Sequence, residues 1–260
     1  IGVGNVCEGM FSENIGAALA ICVPVNKPVF DPKARIFSYL DMDGTSYHVC
    51  GTVQCGAAAF DWSLKNLLGG NEKPADISNV ENMARQIRPG AEGVLFLPTL
   101  MGSRTPYWDA NTRGCLMGFS LYHDNRHIAR AVYEGIAFAL NSCAEVMAEC
   151  GAPMHSMMLT GGGARSGLWP DMLASIFDLT TKVHQSPGET TSLGAAIAAG
   201  VGVGLFEGYS QAAAMVSARS THAPVPQWRQ AYKEIYPIYA DIYGCIKPLN
   251  DRIANLKIGD

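Results

Sequence analysis

The chain has 260 residues, 48% hydrophobic and 16% charged, which is enough apolar material for a sizeable core in one large domain or two small ones. A formal net charge of −4, with lysine and arginine scattered rather than clustered, argues against a nucleic-acid binder or a protein held to an anionic membrane by charge. The most apolar window, 195–203, is too short and too broken by glycine to cross a bilayer.

The chain opens Ile1-Gly2-Val3-Gly4, with no initiator methionine and no leader pattern, and reads as the interior of a longer protein. Gly2 and Gly4 begin a dinucleotide fingerprint, but Cys7 stands where its third glycine is needed, so that reading is discounted. Residues 17–25 form an apolar run bounded by glycine and proline, a buried strand, and 46–49 a second short strand. A helix is expected over 52–68, stopped by Gly69-Gly70, and another over 77–87 behind an Asp76 cap. Residues 94–97 read as a strand ending at Pro98. The polar and aromatic stretch 99–114 reads as a long loop, with Tyr107 and Trp108 tucked into the core.

Residues 127–149 carry one apolar stripe at helical spacing, from Ile128 through Val132, Ile136, Leu140 and Cys143 to Met147. Asp124 or Asn125 can cap that helix, and Gly151 with Pro153 ends it. Strands are expected at 157–159 and 182–184, and helices at 168–177 and 192–199. The aromatic face Trp228, Tyr232, Tyr236, Tyr239 and Tyr243 marks a terminal helix packed on the domain, kinked at Pro237. Asp31, Asp41 and Asp43 read as turn residues. Alternating strands and helices imply an α/β fold with a mixed sheet flanked by helices.

Eight cysteines (Cys7, Cys22, Cys50, Cys55, Cys115, Cys143, Cys150 and Cys245) form no Cys-x-x-Cys pair and read as reduced thiols of a cytoplasmic protein. His123 and His127 are four apart but lie at a turn with no glutamate partner, so no metal ligands are assigned. The chemistry concentrates in two glycine stretches. They are Leu159-Thr160-Gly161-Gly162-Gly163-Ala164-Arg165-Ser166-Gly167 and Gly188-Glu189-Thr190-Thr191-Ser192-Leu193-Gly194-Ala195-Ala196. Each follows an apolar run and opens a helical pattern. Bare backbone N–H groups at a positive helix end suit a nucleotide phosphate, and glycine lets the backbone come close. The same pattern also serves as a tight turn with no ligand.

Four landmarks together resemble the FGGY family of carbohydrate kinases, in its C-terminal domain and over nearly the whole chain. They are Ile1-Gly2-Val3-Gly4; Phe96-Leu97-Pro98 with Gly102-Ser103-Arg104-Thr105-Pro106; Gly114-Cys115-Leu116-Met117-Gly118-Phe119 with His127-Ile128-Ala129-Arg130-Ala131-Val132-Tyr133-Glu134-Gly135; and the two glycine stretches. The resemblance implies an actin-like, ribonuclease-H-like ATPase domain spanning 1–260, facing a sugar-binding N-terminal domain across a nucleotide cleft. It implies ATP and Mg²⁺ as cofactors and γ-phosphoryl transfer to a sugar hydroxyl. Xylulose is the expected sugar, with gluconate, ribulose or glycerol as alternatives. No nucleic-acid or membrane partner is implied, and a homodimer is compatible with it.

By position, the resemblance puts Gly161, Gly162 and Gly163 at the α-phosphate and adenosine, and Ser166 and Gly167 near the adenine. Gly56 and Ala57 border the nucleotide, and Gly194 is a weaker match. Gly16-Ala17-Ala18 replaces the Gly-Thr turn that holds the β- and γ-phosphates, and Ser103 stands where the family has glutamate. No catalytic base falls within this chain; it is expected a few residues before Ile1, so the isolated chain is expected to be inactive. A noncatalytic nucleotide-binding actin-like module is the rival reading.

Overall fold

A computed structural model describes residues 1–6, 8–69 and 73–256; Cys7 and Gly70, which entered the sequence reading, lie outside them. The apolar run after Gly16 forms β2 (Leu19–Val25), paired antiparallel with β1 (Gly9–Ile15). Strand β1 escapes sequence reading because its inward positions Phe11 and Ile15 are interrupted by Glu13, which breaks the apolar alternation. Beyond β2 lie β4 (Tyr47–Val53) and β3 (Phe37–Leu40). On the other side β1 runs parallel to β7 (Met154–Gly161), which is parallel to β8 (Thr180–His184), and β9 (Ala218–His222) closes the edge antiparallel. The seven-stranded sheet therefore has the order β3-β4-β2-β1-β7-β8-β9. Strands β5 (Leu95–Leu97) and β6 (Cys115–Met117) pair separately.

The helix expected over 52–68 is corrected at both ends. Thr52 and Val53 pair with Ala20 and Leu19, so β4 continues and α1 (Ala57–Asn66) begins only after Gly56. Cross-strand pairing of these β-branched residues outweighs their helical spacing. At the other end the N–H groups of Leu67 and Leu68 both donate to Ser63 O, which closes the helix early. Helix α2 (Ile77–Arg85) starts as read, with the Asp76 carboxylate accepting from Asn79 N–H at 3.1 Å. Helix α3 (Asn125–Glu149) is capped by Asp124, and His127 Nδ1 accepts from the Asp124 N–H at 3.1 Å. His127 is thus a capping residue.

Helices α4 (Trp169–Phe177), α5 (Thr190–Gly202), α6 (Tyr209–Ala213) and α7 (Pro226–Ala254) complete the chain, and α7 continues through both Pro237 and Pro248. Period-two alternation splits the layers. Phe11, Glu13 and Ile15 point to the side of α3 and α4, where Phe11 stacks on Phe177 at 6.0 Å. Met10, Ser12 and Asn14 point to the opposite side, toward the chain start, α5 and the segment after α6. No helix among the described residues is long and apolar enough to cross a membrane.

One core position carries a pH-dependent cost. Glu13 is fully buried and neither carboxylate oxygen has a partner among the described residues. Burial, with Cys22 close by, pushes its carboxyl well above the usual range. Stability from this group is therefore complete below the unfolded carboxylate pKa of about 4.3 and falls by at most ~1.4 kcal/mol per pH unit toward the folded value. Glu13→Gln should remove that contribution: between pH 5 and 8 its melting temperature declines less steeply than that of the parent chain, the remaining slope coming from Glu134, whose burial also pushes its carboxyl up. Parallel declines in a melting series would reject the assignment.

Candidate functional site

The C-terminal ends of β1 and β7 lie side by side, with Ile15 in register with Gly161. Ligands of open α/β sheets bind beyond such ends. The three glycines there do different work. Gly161 has φ of +80°, donates its N–H to Pro187 O at 2.8 Å, and would drive a side chain into Asn14 and Ile15. A Cβ at Gly163 would meet the Ile15 side chain, and the Trp169 ring at 2.9 Å. Gly162 has nothing within 4 Å of where its Cβ would stand. Two of the glycines are thus required by packing, and the middle one faces open space.

Gly162 also lines a cavity of about 610 Å³. Phe60 of α1, Tyr133 of α3 and Trp169 of α4 form an aromatic cluster on its wall, with ring centroids 4.8 to 5.3 Å apart. Helix α2 supplies a second wall through Ser78, Glu81 and Asn82. Ala57, Gly162, Gly163, Ser166 and Gly167 also line it, so five of the residues singled out in the sequence share one cavity. Ser166 is fully engaged: its Oγ donates to Glu81 Oε2 at 2.8 Å and accepts from the N–H groups of Leu168 and Trp169, each at 3.1 Å. The Gly167 N–H also donates to Glu81 Oε2, at 3.2 Å, while Arg85 Nη2 holds the other oxygen at 2.8 Å.

Gly16, Ala17 and Gly56 do not line this cavity; they form the turn that ties the β1–β2 hairpin to α1. The N–H groups of Gly56 and Ala58 donate to Ala17 O, and that of Ala57 to Gly16 O, at 2.9 to 3.2 Å. The first amides of α1 are thereby spent inside the protein. Ala17 and Ala18 are exposed, and their own N–H groups make no backbone hydrogen bond among the described residues.

Gly194 is elsewhere. It lines a second cavity of about 480 Å³ with Gly2, Asn14, Thr160 and Thr190. A Cβ at Gly2 would collide with Thr190 O and with Gly194 N, so the opening Gly-x-Gly serves close packing against α5. The 99–114 loop does not line the first cavity; it is tied to α7, with Tyr107 stacked on Tyr243 at 3.5 Å and Asp109 accepting from Tyr243 Oη and Lys247 Nζ. Trp108, expected in the core, is 46% exposed.

Residues 22–203 match the family described as FGGY family of carbohydrate kinases, C-terminal domain. The chain belongs to this family. The matched span contains the first cavity and begins after Gly16 and Ala17. The FGGY chain is 28% identical to gluconokinase of Bacillus subtilis (strain 168) over 266 residues, covering 100% of this chain and 52% of that protein. It is 29% identical to xylulose kinase of the same organism over 258 residues, covering 99% of this chain and 51% of the relative. The crystal structure of ligand-bound xylulose kinase from Lactobacillus acidophilus superposes with a TM-score of 0.87 at 29% identity, over 97% of this chain and 50% of that one. The chain thus spans about half the length of the curated relatives it matches. Its mixed sheet flanked by helices is the actin-like ATPase fold of FGGY kinases.

Sequence reading found the glycines but not Phe60, Tyr133, Trp169, Glu81 or Asn82. The three aromatics sit on three helices far apart in sequence, and Tyr133 lies within the apolar stripe of α3. The one usable signal was Tyr133 itself, a residue with a polar tip in a stripe of aliphatic side chains.

Proposed function

We propose that this chain is the nucleotide-binding half of an ATP-dependent carbohydrate kinase, which transfers the γ-phosphoryl group to a sugar hydroxyl. The observation that carries the reading is the open face of Gly162 above an aromatic-walled cavity at the ends of β1 and β7. In this reading the adenosine lies in the cavity, and the phosphates run along Gly162 toward the exposed amides of Ala17 and Ala18. Phosphoryl transfer depends chiefly on positioning and charge stabilisation, which backbone donors held by a rigid sheet supply. The sugar, and the carboxylate that accepts its proton, are assigned to the other half of the cleft.

Mg²⁺ is implied by the family, but this chain offers it little. Mg²⁺ is usually held through substrate phosphates, several waters and one or two carboxylates. Of the two carboxylates lining the cavity, Glu81 is occupied by Ser166, Gly167 and Arg85, leaving Asp61. These residues do not make a metal site by themselves, and no step is routed through the ion.

Xylulose is the proposed acceptor, and gluconate is an equal candidate given the two relatives above. A coupled ADP-release assay on the kinase containing this chain, with xylulose, gluconate, ribulose and glycerol, decides among them. The missing hydroxyl at Ala17 favours a second reading, a nucleotide-binding module without turnover. The two separate on Ala17→Thr. In a working kinase a restored donor to developing charge should raise turnover about 5- to 100-fold. ADP binding with no turnover, in parent and variant alike, would favour the noncatalytic module.

A further inference from the structure

The inference rests on the nucleotide reading above and concerns how the cavity tells one base from another. Three polar groups around the glycine lip are already taken. Ser166 Oγ and the Gly167 N–H are held by Glu81, and Trp169 Nε1 donates to Tyr133 O at 3.2 Å. One polar atom of the aromatic cluster is left over. Tyr133 is fully buried and its ring is wedged between Phe60 and Trp169; its hydroxyl lies near Ser166, but Ser166 Oγ already donates to Glu81 and accepts from two N–H groups, and the hydroxyl makes no hydrogen bond of its own among the described residues. It borders the same cavity as Gly162.

A buried hydroxyl is normally partnered, and an unmatched one beside a cavity calls for a ligand atom. Flat aromatic rings around the cavity suit a planar heterocycle, by stacking or edge contact. We propose that the Tyr133 hydroxyl recognises the base of the bound nucleotide, donating a hydrogen bond to a ring nitrogen of a purine. Burial pushes the Tyr133 pKa up, so the group keeps its proton and remains a donor at neutral pH. Tyr133 is accordingly a specificity residue, remote from the transferred phosphate.

The test is calorimetric titration of the chain and of its Tyr133→Phe variant with ADP and with 1-deaza-, 3-deaza- and 7-deaza-ADP. Phenylalanine keeps the ring contacts and removes only the hydroxyl, and a melting curve checks the fold. Tyr133→Phe should bind ADP about 5- to 30-fold more weakly. One deaza analogue should bind the parent chain as weakly as ADP binds the variant, and should lose nothing further in the variant. A purely structural tyrosine would not single out one ring nitrogen. If the parent binds ADP and Tyr133→Phe binds it equally, or if all three analogues weaken by the same factor in both proteins, the assignment is overturned. If the parent takes up no ADP at all, the nucleotide reading falls, and this proposal with it. The deaza series on the parent chain stands alone should the variant fail to fold: equal binding of all three analogues and ADP also overturns it.

Discussion

Gly162→Val is expected to abolish ADP binding and to leave the unfolding temperature of the chain unchanged. The expectation follows from the unequal roles of three adjacent glycines. At Gly162 no protein atom lies within 4 Å of a new Cβ, so valine disturbs nothing in the ligand-free protein. The same branched side chain would project into the cavity, on the path proposed for the nucleotide. The controls are the neighbours. Gly161→Ala forces a side chain onto a φ of +80° and into Asn14, and Gly163→Ala pushes against Ile15 and Trp169. Both should lower the melting temperature. Thermal shift with ADP reads the two effects together: at about ten times the dissociation constant the parent gains ~1.4 kcal/mol, and Gly162→Val gains nothing. An equal ADP shift in parent and Gly162→Val would refute the nucleotide path.

Glu134→Ala should destabilise the chain by about 3–5 kcal/mol, because it leaves a buried guanidinium without its counter-charge. Arg130 and Glu134 are each 1% exposed. Arg130 Nε donates to Glu134 Oε1 at 2.6 Å, Tyr232 Oη donates to the same oxygen at 3.0 Å, and so does the Gly90 N–H at 3.0 Å. One carboxylate therefore joins α3, α7 and the turn after α2. Trp228 of α7 covers Arg130, with the guanidinium carbon 4.8 Å from the ring centroid. The double variant Arg130→Met/Glu134→Leu removes both charges and should recover most of the loss, since apolar replacement of a whole buried pair is often neutral or better. Urea unfolding of the three proteins measures this. A single variant within ~1 kcal/mol of the parent would show that water reaches Arg130.

The sites of these two predictions differ in how far the sequence announces them. The triple glycine after an apolar run is conspicuous in the sequence, although the reason Gly161 and Gly163 must lack a Cβ lies in Asn14, Ile15 and Trp169, which the fold brings against them. The Arg130–Glu134 pair, at helical spacing within an apolar stripe, is visible only as two charges on the wrong face. That Tyr232 and Gly90 complete it depends on where α7 and α2 come to rest.

The same division runs through the fold. Periodicity, caps and breakers are properties of a few neighbouring residues, so the stripe of α3, the Asp76 and Asp124 caps, the apolar run of β2 and the aromatic face of α7 were legible in order along the chain. So was membership of the FGGY family, which rests on motifs in sequence. Strand β1 was not legible, because Glu13 occupies an inward position that only the surrounding core makes tolerable. The extension of β4 through Thr52 and Val53 was decided by pairing with β2, a contact between residues about 30 apart. The cavity is the clearest case. Its glycine lip is a single short segment, while Phe60, Glu81, Tyr133 and Trp169 come from four helices. Nothing local to any of them specifies the others. The sequence alone determined where a backbone could come close to a ligand; the packing of α1, α2, α3 and α4 at the ends of β1 and β7 decided which side chains surround that place, because such neighbours are set by tertiary contact rather than by spacing along the chain.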